Sequence, residues 1–176
     1  MTKNIPPTLF ARRERFSRIP QANRVERVPE LIHLVGLGTR NSREIARKMR
    51  FDLRQSTYYR EAAEILGFLN SRRPYSLTDL GREFFFSDTP IRIKIVVCSL
   101  LRNSIISCVI ACLQARTSQR VSLLEIEDLI RATSKLRSAT TVQRRARTII
   151  AWLRWLAKNH GIVVVSGDSV RLNTTR

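Results

Sequence analysis

The chain has 176 residues, of which 43% are apolar, and it carries 32 Lys and Arg against 14 Asp and Glu, a net charge of +18. The apolar fraction is too high for a disordered tail, and it predicts one domain or two small ones with a buried core. The charge favours nucleic acid as the partner, with an anionic membrane surface as the weaker alternative.

Residues 1–27 are rich in Arg, Pro and Asn, and we expect a basic amino-terminal arm with a short helix near residues 9–16. Such an arm can lie along phosphates or enter a groove of DNA. The opening residues contain no apolar run of the kind that a signal peptide needs. Cys98, Cys108 and Cys112 lie in one apolar stretch, and this odd number indicates reduced core thiols. Both observations favour a cytoplasmic protein.

Residues 28–90 predict a first domain that contains a helix-turn-helix. A helix is expected to start at Pro29 and to end near Gly38. Two further helix starts follow, each marked by an N-cap residue and an acidic or amide residue three positions later. These capping pairs are Asn41 with Glu44 and Asp52 with Gln55. The pairs start 11 residues apart, which leaves a short helix, a tight turn and a second helix.

A hairpin wing is expected after that second helix. Residues 68–69 and 75–77 flank the turn-forming sequence NSRRP and are predicted to form two short strands. Residues 78–86 then predict a short closing helix. The first domain is therefore expected to be a winged helix-turn-helix.

Residues 91–176 repeat this order and form the second predicted domain. One long apolar helix is expected over residues 91–115. We expect it inside the protein rather than in a membrane, because Arg102 and Asn103 lie at its centre, where a charge is costly in lipid.

The rest of the second domain supplies two more capped helices and a hairpin. The capping pairs are Ser122 with Glu125 and Thr140 with Gln143. An apolar run, a turn at Gly167 and Asp168, and a second run predict the closing hairpin. The expected fold class is thus mainly α with small β-hairpins, in two tandem winged helix-turn-helix domains.

The second helix of the first domain divides into a core face and a polar face. Tyr59 shares a stripe with apolar residues and is expected in the core. The polar faces near the amino terminus carry Arg54, Gln55, Thr57 and Tyr58. Arg and Gln can bind guanine and adenine edges bidentately, so these four residues are predicted to read bases in the major groove or to position one half of the site. Tyr58 could also lie on a phosphate or sugar, or stack. The alternative is that Arg54 and Gln55 only cap the helix.

The last long helix carries the densest cationic cluster of the chain, three Arg within four residues. Trp152 and Trp155 on this helix are expected to pack in the core rather than to stack on bases. Its predicted base-reading residues are Gln143, Arg144 and Arg147. The phosphate contacts are predicted at Arg43, Arg72, Arg73, Arg137 and Arg145. With 15 Lys and Arg against 4 Asp and Glu, residues 91–176 should supply much of the nonspecific affinity.

No motif brings together the residues that catalysis would need. No acidic residue stands two positions before a Lys, as in the D/E-x-K motif of metal-dependent nucleases, and no glycine-rich phosphate loop is present. His33 is expected to be a partly buried core residue and His160 to complement a helix end, so they do not make a metal site. We therefore expect no catalytic site, no metal and no cofactor.

Several short motifs resemble the winged-helix domains attached to bacterial type II restriction endonucleases. These motifs are Arg54-Gln55, Tyr58-Tyr59, Leu66-Gly67 and Leu77-Thr78-x-x-Gly81. The segment TTVQRRARTIIAWLRWL, residues 140–156, is similar to a helix in the second winged unit of such proteins. The resemblance covers about residues 28–172 and implies a DNA-recognition module of a restriction or defence system. The missing nuclease motif implies that a separate subunit would supply cleavage.

The leading functional hypothesis is sequence-specific binding to double-stranded DNA, by a protein or subunit of a restriction or defence system without its own catalytic site. One alternative is an interaction subunit that uses its apolar helix, residues 91–115, and its winged domains to dock a nuclease or an ATPase. This apolar helix must be buried somewhere, either at the centre of one fused domain or in a homodimer seam. Another is a transcriptional regulator, which differs only in what lies near its binding site. RNA is disfavoured because no exposed aromatic platform for single strands stands out.

Overall fold

The computed structural model describes residues 19–174, which form eight α-helices and three β-strands. The elements are α1 (Arg27–Gly36), α2 (Ser42–Met49), α3 (Leu53–Ile65), α4 (Asp79–Phe86), α5 (Thr89–Arg102), α6 (Ser104–Ala115), β1 (Arg120–Ser122), α7 (Leu123–Thr133), α8 (Ala139–His160), β2 (Val163–Ser166) and β3 (Ser169–Leu172). A mainly helical fold with a small antiparallel sheet is confirmed. Most of the predicted basic arm, including its helix near residues 9–16, lies outside the described residues.

The first three helices have the predicted order and capping. α1 begins at Arg27, slightly before the expected start, so Pro29 lies inside the first turn, where its missing N–H costs no helical hydrogen bond. The side chain of Asn41 caps α2 by accepting the backbone N–H of Glu44 at 3.0 Å. The capping box predicted from Asp52 forms at the start of α3 with both of its hydrogen bonds. Both predicted capping positions are therefore confirmed.

The first predicted hairpin is present in a reduced form. A single antiparallel bridge joins Leu69 to Leu77. Beyond the bridge, the amide of Asn70 donates to the carbonyl of Ser76 at 3.0 Å. The intervening residues 71–74 are exposed, so no apolar contact extends the pairing toward the tip.

Thr78 and Gly81 determine where α4 begins. The Thr78 hydroxyl donates to the Gly67 carbonyl at 2.6 Å and accepts the Gly81 amide at 3.0 Å. A Cβ atom at Gly81 would lie 2.1 Å from the carbonyl oxygen of Phe68. Only glycine lets the first turn of α4 approach the hairpin this closely.

Residues 91–115 form parts of two helices, and the single long helix expected from their sequence is wrong. α5 and α6 meet at Asn103 with a bend of 74°. The backbone of Asn103 is extended, and its side-chain oxygen accepts the Ile106 amide at 3.4 Å, which caps α6. Within residues 19–174, no helix alone has the length and apolar composition to cross a membrane, whereas this bent pair taken together does.

The second half continues with β1, α7, α8 and the hairpin of β2 and β3. β3 is the central strand, and it pairs antiparallel with β1 on one side and with β2 on the other. Val170 of β3 is buried and lies opposite both Val121 and Val165. The β2–β3 hairpin was predicted. β1 was not, because its three residues become a strand only by pairing with a strand far along the chain.

One of the two predicted capping pairs in the second half is confirmed. Ser122 and Glu125 form a capping box at the start of α7. The predicted start of α8 at Thr140 is wrong, since the helix already includes Ala139. The Ser138 hydroxyl lies 3.0 Å from the Thr140 hydroxyl, so both side chains bond to each other instead of to a backbone amide.

One hydrophobic core extends through both halves of the chain and includes residues that precede α1. Ile19, Ala22 and Val25 are buried, and the indole N–H of Trp152 donates to the Ala22 carbonyl at 2.7 Å. We call residues 19–23 the strap, because they connect α3 with α8. The predicted domain boundary after residue 90 falls within the first turn of α5.

The burial of the aromatic residues agrees with the predictions, whereas that of His33 does not. Tyr59 and Trp152 are buried as predicted, and Trp155 is half-buried against the core. His33 was expected to be partly buried but is exposed, because the buried stripe of α1 is formed by residues 28, 31, 32 and 35. Its ring lies 5.4 Å from that of Phe85.

The three thiols differ in burial, although all were expected in the core. Cys112 is buried, Cys108 is half-buried and Cys98 is exposed. The prediction for Cys98 is wrong because α5 buries its neighbours Val96, Val97, Ser99 and Leu100, which leaves position 98 on the outer side.

Candidate nucleic-acid interface

Arg54 and Tyr58 form a pair on the surface of α3. The Nε of Arg54 donates to the Tyr58 hydroxyl, and the guanidinium carbon lies 5.5 Å from the centre of the Tyr58 ring. The residues are one helical turn apart, which brings their side chains together. This contact holds the guanidinium in place while Arg54 remains exposed. An arginine held in this way can present its planar fork to a base or a phosphate.

Gln55 acts as a cap, which was the alternative interpretation of its position. The side-chain oxygen of Gln55 accepts a hydrogen bond from the backbone N–H of Asp52 at 3.2 Å. The backbone N–H of Gln55 donates to Asp52 Oδ1 at 2.6 Å. The cap uses only the oxygen of the side-chain amide, and the NH2 group is a separate donor. Thr57 is half-buried, and its hydroxyl donates to the Leu53 carbonyl at 3.1 Å. Thr57 is thus turned toward its own helix.

Gln143, Arg144 and Arg147 are exposed on the amino-terminal part of α8. Arg144 contacts the strap, with Nη2 donating to Oε1 of Gln21 at 3.4 Å. No acidic residue lies in the first turn of α8, and the Ser138 side chain caps no amide. The positive end of the helix dipole is therefore uncompensated beside these side chains, which favours an anionic partner.

Arg145 differs from its neighbours because it is half-buried and holds the strap. Its Nη1 donates to the Ile19 carbonyl at 2.8 Å. Burial lowers the pKa of Arg145, the charge of Arg144 lowers it further, and Glu61 and Tyr58 of α3 act in the opposite direction. The predicted phosphate contact at Arg145 therefore comes from a side chain that also joins α8 to the strap.

The other predicted phosphate contacts lie at the surface in two places. Arg43, Arg72 and Arg73 are exposed, and a hydrogen bond of 2.7 Å between the Ser42 and Tyr75 hydroxyls places the first turn of α2 beside the hairpin that carries two of them. Arg137 is exposed just before α8 and donates to the Ser134 carbonyl at 3.2 Å. The structure thus brings Arg43 near the hairpin and Arg137 near the start of α8.

Only some of the described arginines form ion pairs with acidic residues, and the rest include both predicted and unpredicted positions. The arginines that pair with Asp or Glu are Arg27, Arg60, Arg82, Arg116 and Arg131. None of the ion pairs between residues of 19–174 involves an arginine that was predicted to contact DNA. The acidic side chains therefore neutralise the paired arginines, and the predicted contact arginines are not neutralised in this way.

A groove of about 1020 Å³ separates α3 from the connection between α7 and α8. Glu61 and Glu64 of α3 line one wall, and Lys135 and Arg137 line the opposite wall, while Arg145 also reaches it. The sequence contained no signal for this groove, because its walls are far apart in the chain and meet only through tertiary packing.

Among residues 19–174, no three His, Cys, Asp or Glu side chains are arranged to hold a metal ion. Cys108 and Cys112 lie one turn apart on α6, and a hydrogen bond from Cys108 lowers the pKa of Cys112 to about 7. His33 and His160 are both exposed on different helices, α1 and α8.

A protein-family model described as "Domain of unknown function (DUF7226)" matches residues 27–160. The match runs from the first residue of α1 to the last residue of α8, so it includes both helices that carry predicted base-reading residues. The comparison with curated proteins finds no match, and neither does the comparison with solved structures.

Proposed function

The chain belongs to the family of the domain of unknown function DUF7226, and we propose that it binds double-stranded DNA in a sequence-specific manner. It acts as a protein or subunit of a restriction or defence system and has no catalytic site of its own. A nuclease partner supplies cleavage in this proposal. The expected location is the cytoplasm.

The order of elements supports a winged-helix architecture for each half. In the second half, α6, β1, α7, α8 and the β2–β3 hairpin follow one another, with β3 in the centre of the sheet. In the first half, α1, α2 and α3 are followed by the reduced hairpin. α3 and α8 then take the same position, the helix before the wing, which is the recognition helix of a helix-turn-helix.

The division of the arginines by ion pairing is the observation that carries the proposal. Five described arginines have acidic partners, and these lie outside the predicted contact set. The predicted contact arginines on α3, α8 and the hairpin have a surface position or an anchoring contact instead. Unpaired arginines beside an uncompensated helix amino terminus are a strong electrostatic attraction for phosphate.

The test compares Arg54→Ala and Arg147→Ala with Arg82→Ala. Each variant removes one arginine from the surface, but Arg82 is paired with Asp79 and lies outside the predicted contacts. Duplexes are first selected from a random pool with the unaltered protein. The first two variants should lower affinity for the selected duplex by about 5- to 150-fold, since a bidentate contact is worth about 1–3 kcal/mol. The Arg82 variant should stay within about twofold.

Two outcomes would contradict the proposal. One is a random pool in which no sequence is enriched. The other is a selected duplex to which all three variants bind as tightly as the unaltered protein.

A second candidate function is an interaction subunit that docks a nuclease or an ATPase. Most of the large apolar side chains of residues 91–115 are packed in the core, although Ile91 is exposed. A different apolar area now favours it: Phe86 is 80% exposed and Leu37 is 63% exposed. The ring of Phe85 packs against Gly36. Phe86 follows Phe85 in the sequence, and Leu37 follows Gly36. Phe86→Ser should abolish docking, measured by titration with the purified partner, and leave DNA affinity unchanged.

A further inference from the structure

The strap is bonded to both candidate recognition helices. At its first residue, the Ile19 carbonyl accepts a hydrogen bond from Arg145 of α8 at 2.8 Å. At its last residue, Asn23 Oδ1 accepts one from the Tyr59 hydroxyl of α3 at 3.4 Å. Four residues of extended chain span at most about 14 Å, so the two anchoring points lie close together.

Side chains from both helices also line one groove. Glu61 of α3 and Arg145 of α8 line the same groove. Tyr58 and Glu61 both act electrostatically on Arg145, and charges near the surface act on one another over about 10 Å or less in physiological salt. Tyr58 contacts Arg54, and Arg144 precedes Arg145 on α8. Among the predicted base-reading residues, Tyr58 of α3 and Arg144 of α8 therefore lie beside the groove or the strap.

A buried contact keeps this arrangement in the free protein. Trp152 of α8 is fully buried, Ala22 of the strap is 2% exposed, and a hydrogen bond of 2.7 Å joins them. Breaking this bond would leave a buried polar group without a partner, which is costly. Together with the bond from Tyr59 to Asn23, this contact links α8 to α3 through the strap before any DNA binds.

α3 and α8 are bonded to opposite ends of the short strap, so they lie too close together to read two DNA half-sites that are one helical turn apart. Recognition helices that read successive segments of the major groove on one face of DNA lie one helical turn apart, about 34 Å. Resting on the DNA-binding function above, we propose that α3 and α8 form one composite surface for a single continuous duplex site. This site is about 10–12 base pairs long, one helical turn, and it is not divided into two spaced half-sites.

The first test measures the affinity of the full chain for duplexes of about 8 to about 24 base pairs, from less than one helical turn to more than two. The motif selected from the random pool lies at the centre of each duplex. A composite surface predicts that affinity reaches its maximum by about 12 base pairs and changes less than about threefold beyond that length.

The outcomes separate the composite surface from DNA binding itself. An affinity that rises more than about tenfold between about 12 and about 24 base pairs would overturn the composite surface and leave DNA binding intact. Two enriched motifs separated by about one turn would do the same. If no duplex of any length binds, both the composite surface and the proposed function fall.

A second test asks whether both helices contact the same short duplex. Arg54→Ala on α3 and Arg147→Ala on α8 should each lower affinity for the duplex of about 12 base pairs by about 5- to 150-fold. Arg82→Ala is the control for loss of one surface arginine. If one of the two variants weakens binding only to the longer duplexes, the helices bind separate segments and the composite surface is overturned.

Discussion

The indole N–H of Trp152 donates to the carbonyl of Ala22 at 2.7 Å, in a site from which solvent is excluded. Trp152→Phe keeps most of the ring in the core but leaves that carbonyl without its donor. We expect the free energy of unfolding to fall by about 1–3 kcal/mol, the cost of an unsatisfied buried polar group. Urea unfolding followed by circular dichroism measures the change.

Trp155→Phe is the matched control for Trp152→Phe, because Trp155 is only half-buried on the same helix. Its indole makes none of the hydrogen bonds found among the described residues. This control should change the free energy of unfolding by less than about 1 kcal/mol. Equal losses in the two variants would show that the bond between Trp152 and the strap is unimportant.

Gly81→Ala should destabilise the first half of the protein. The added Cβ would lie 2.1 Å from the Phe68 carbonyl oxygen, so the first turn of α4 must move away from the hairpin. Overpacking of this kind costs about 3 kcal/mol. Thermal unfolding measures the loss. Gly38→Ala is the control, because nothing lies within 4 Å of its added Cβ and only its φ of +97° is strained, at about 1–2 kcal/mol.

A substitution at Gln55 can distinguish its role as a helix cap from its predicted role in contacting a base. Gln55→Glu keeps a side-chain oxygen for the Asp52 amide, so the free energy of unfolding should change by less than about 0.5 kcal/mol. The same substitution replaces the NH2 donor with a carboxylate oxygen, and DNA affinity should fall by about tenfold or more. Fluorescence anisotropy on the selected duplex measures this. A variant with unchanged affinity would show that Gln55 serves only as a cap.

Salt dependence should identify the arginines that bind phosphate. Replacing Arg43, Arg72, Arg73 or Arg137 by Ala should lower the slope of log K against log salt by about 1 for each phosphate that the variant no longer neutralises. The drop in affinity should be equal on selected and random duplexes. Arg131→Ala is the control, since Arg131 is paired with Glu127 and Asp128 on α7 and should leave the slope unchanged. A slope that none of the four variants alters would place the phosphate-binding residues elsewhere.

Local signals predicted local structure well in this chain. The capping boxes at Asp52 and Ser122 depend only on residues within one helical turn, and both form. Asn103 uses the same device, but the apolar residues on either side of it predicted one continuous helix and hid the break. At the start of α8, by contrast, the sequence predicted a cap that does not form. The Ser138 hydroxyl bonds to the neighbouring Thr140 hydroxyl and not to a backbone amide.

The parts that sequence did not predict depend on contacts between distant residues. β1 becomes a strand by pairing with β3. His33 and Cys98 are exposed because the packing of α1 and α5 selects other residues for the core. The predicted side chains on α3 and α8 were correctly placed on helices, but their convergence depends on the strap, whose bond to Trp152 joins residues 130 positions apart.

The contact between the strap and α8 can form only late in biosynthesis. Arg145 is added 126 residues after Ile19, its hydrogen-bond partner. At about 5–20 residues per second, a ribosome needs on the order of 6–25 s to cover that distance. Until then the strap has no α8 to pack against. The contact between the strap and α8 therefore forms late, and an incomplete nascent chain contains α3 before it contains α8.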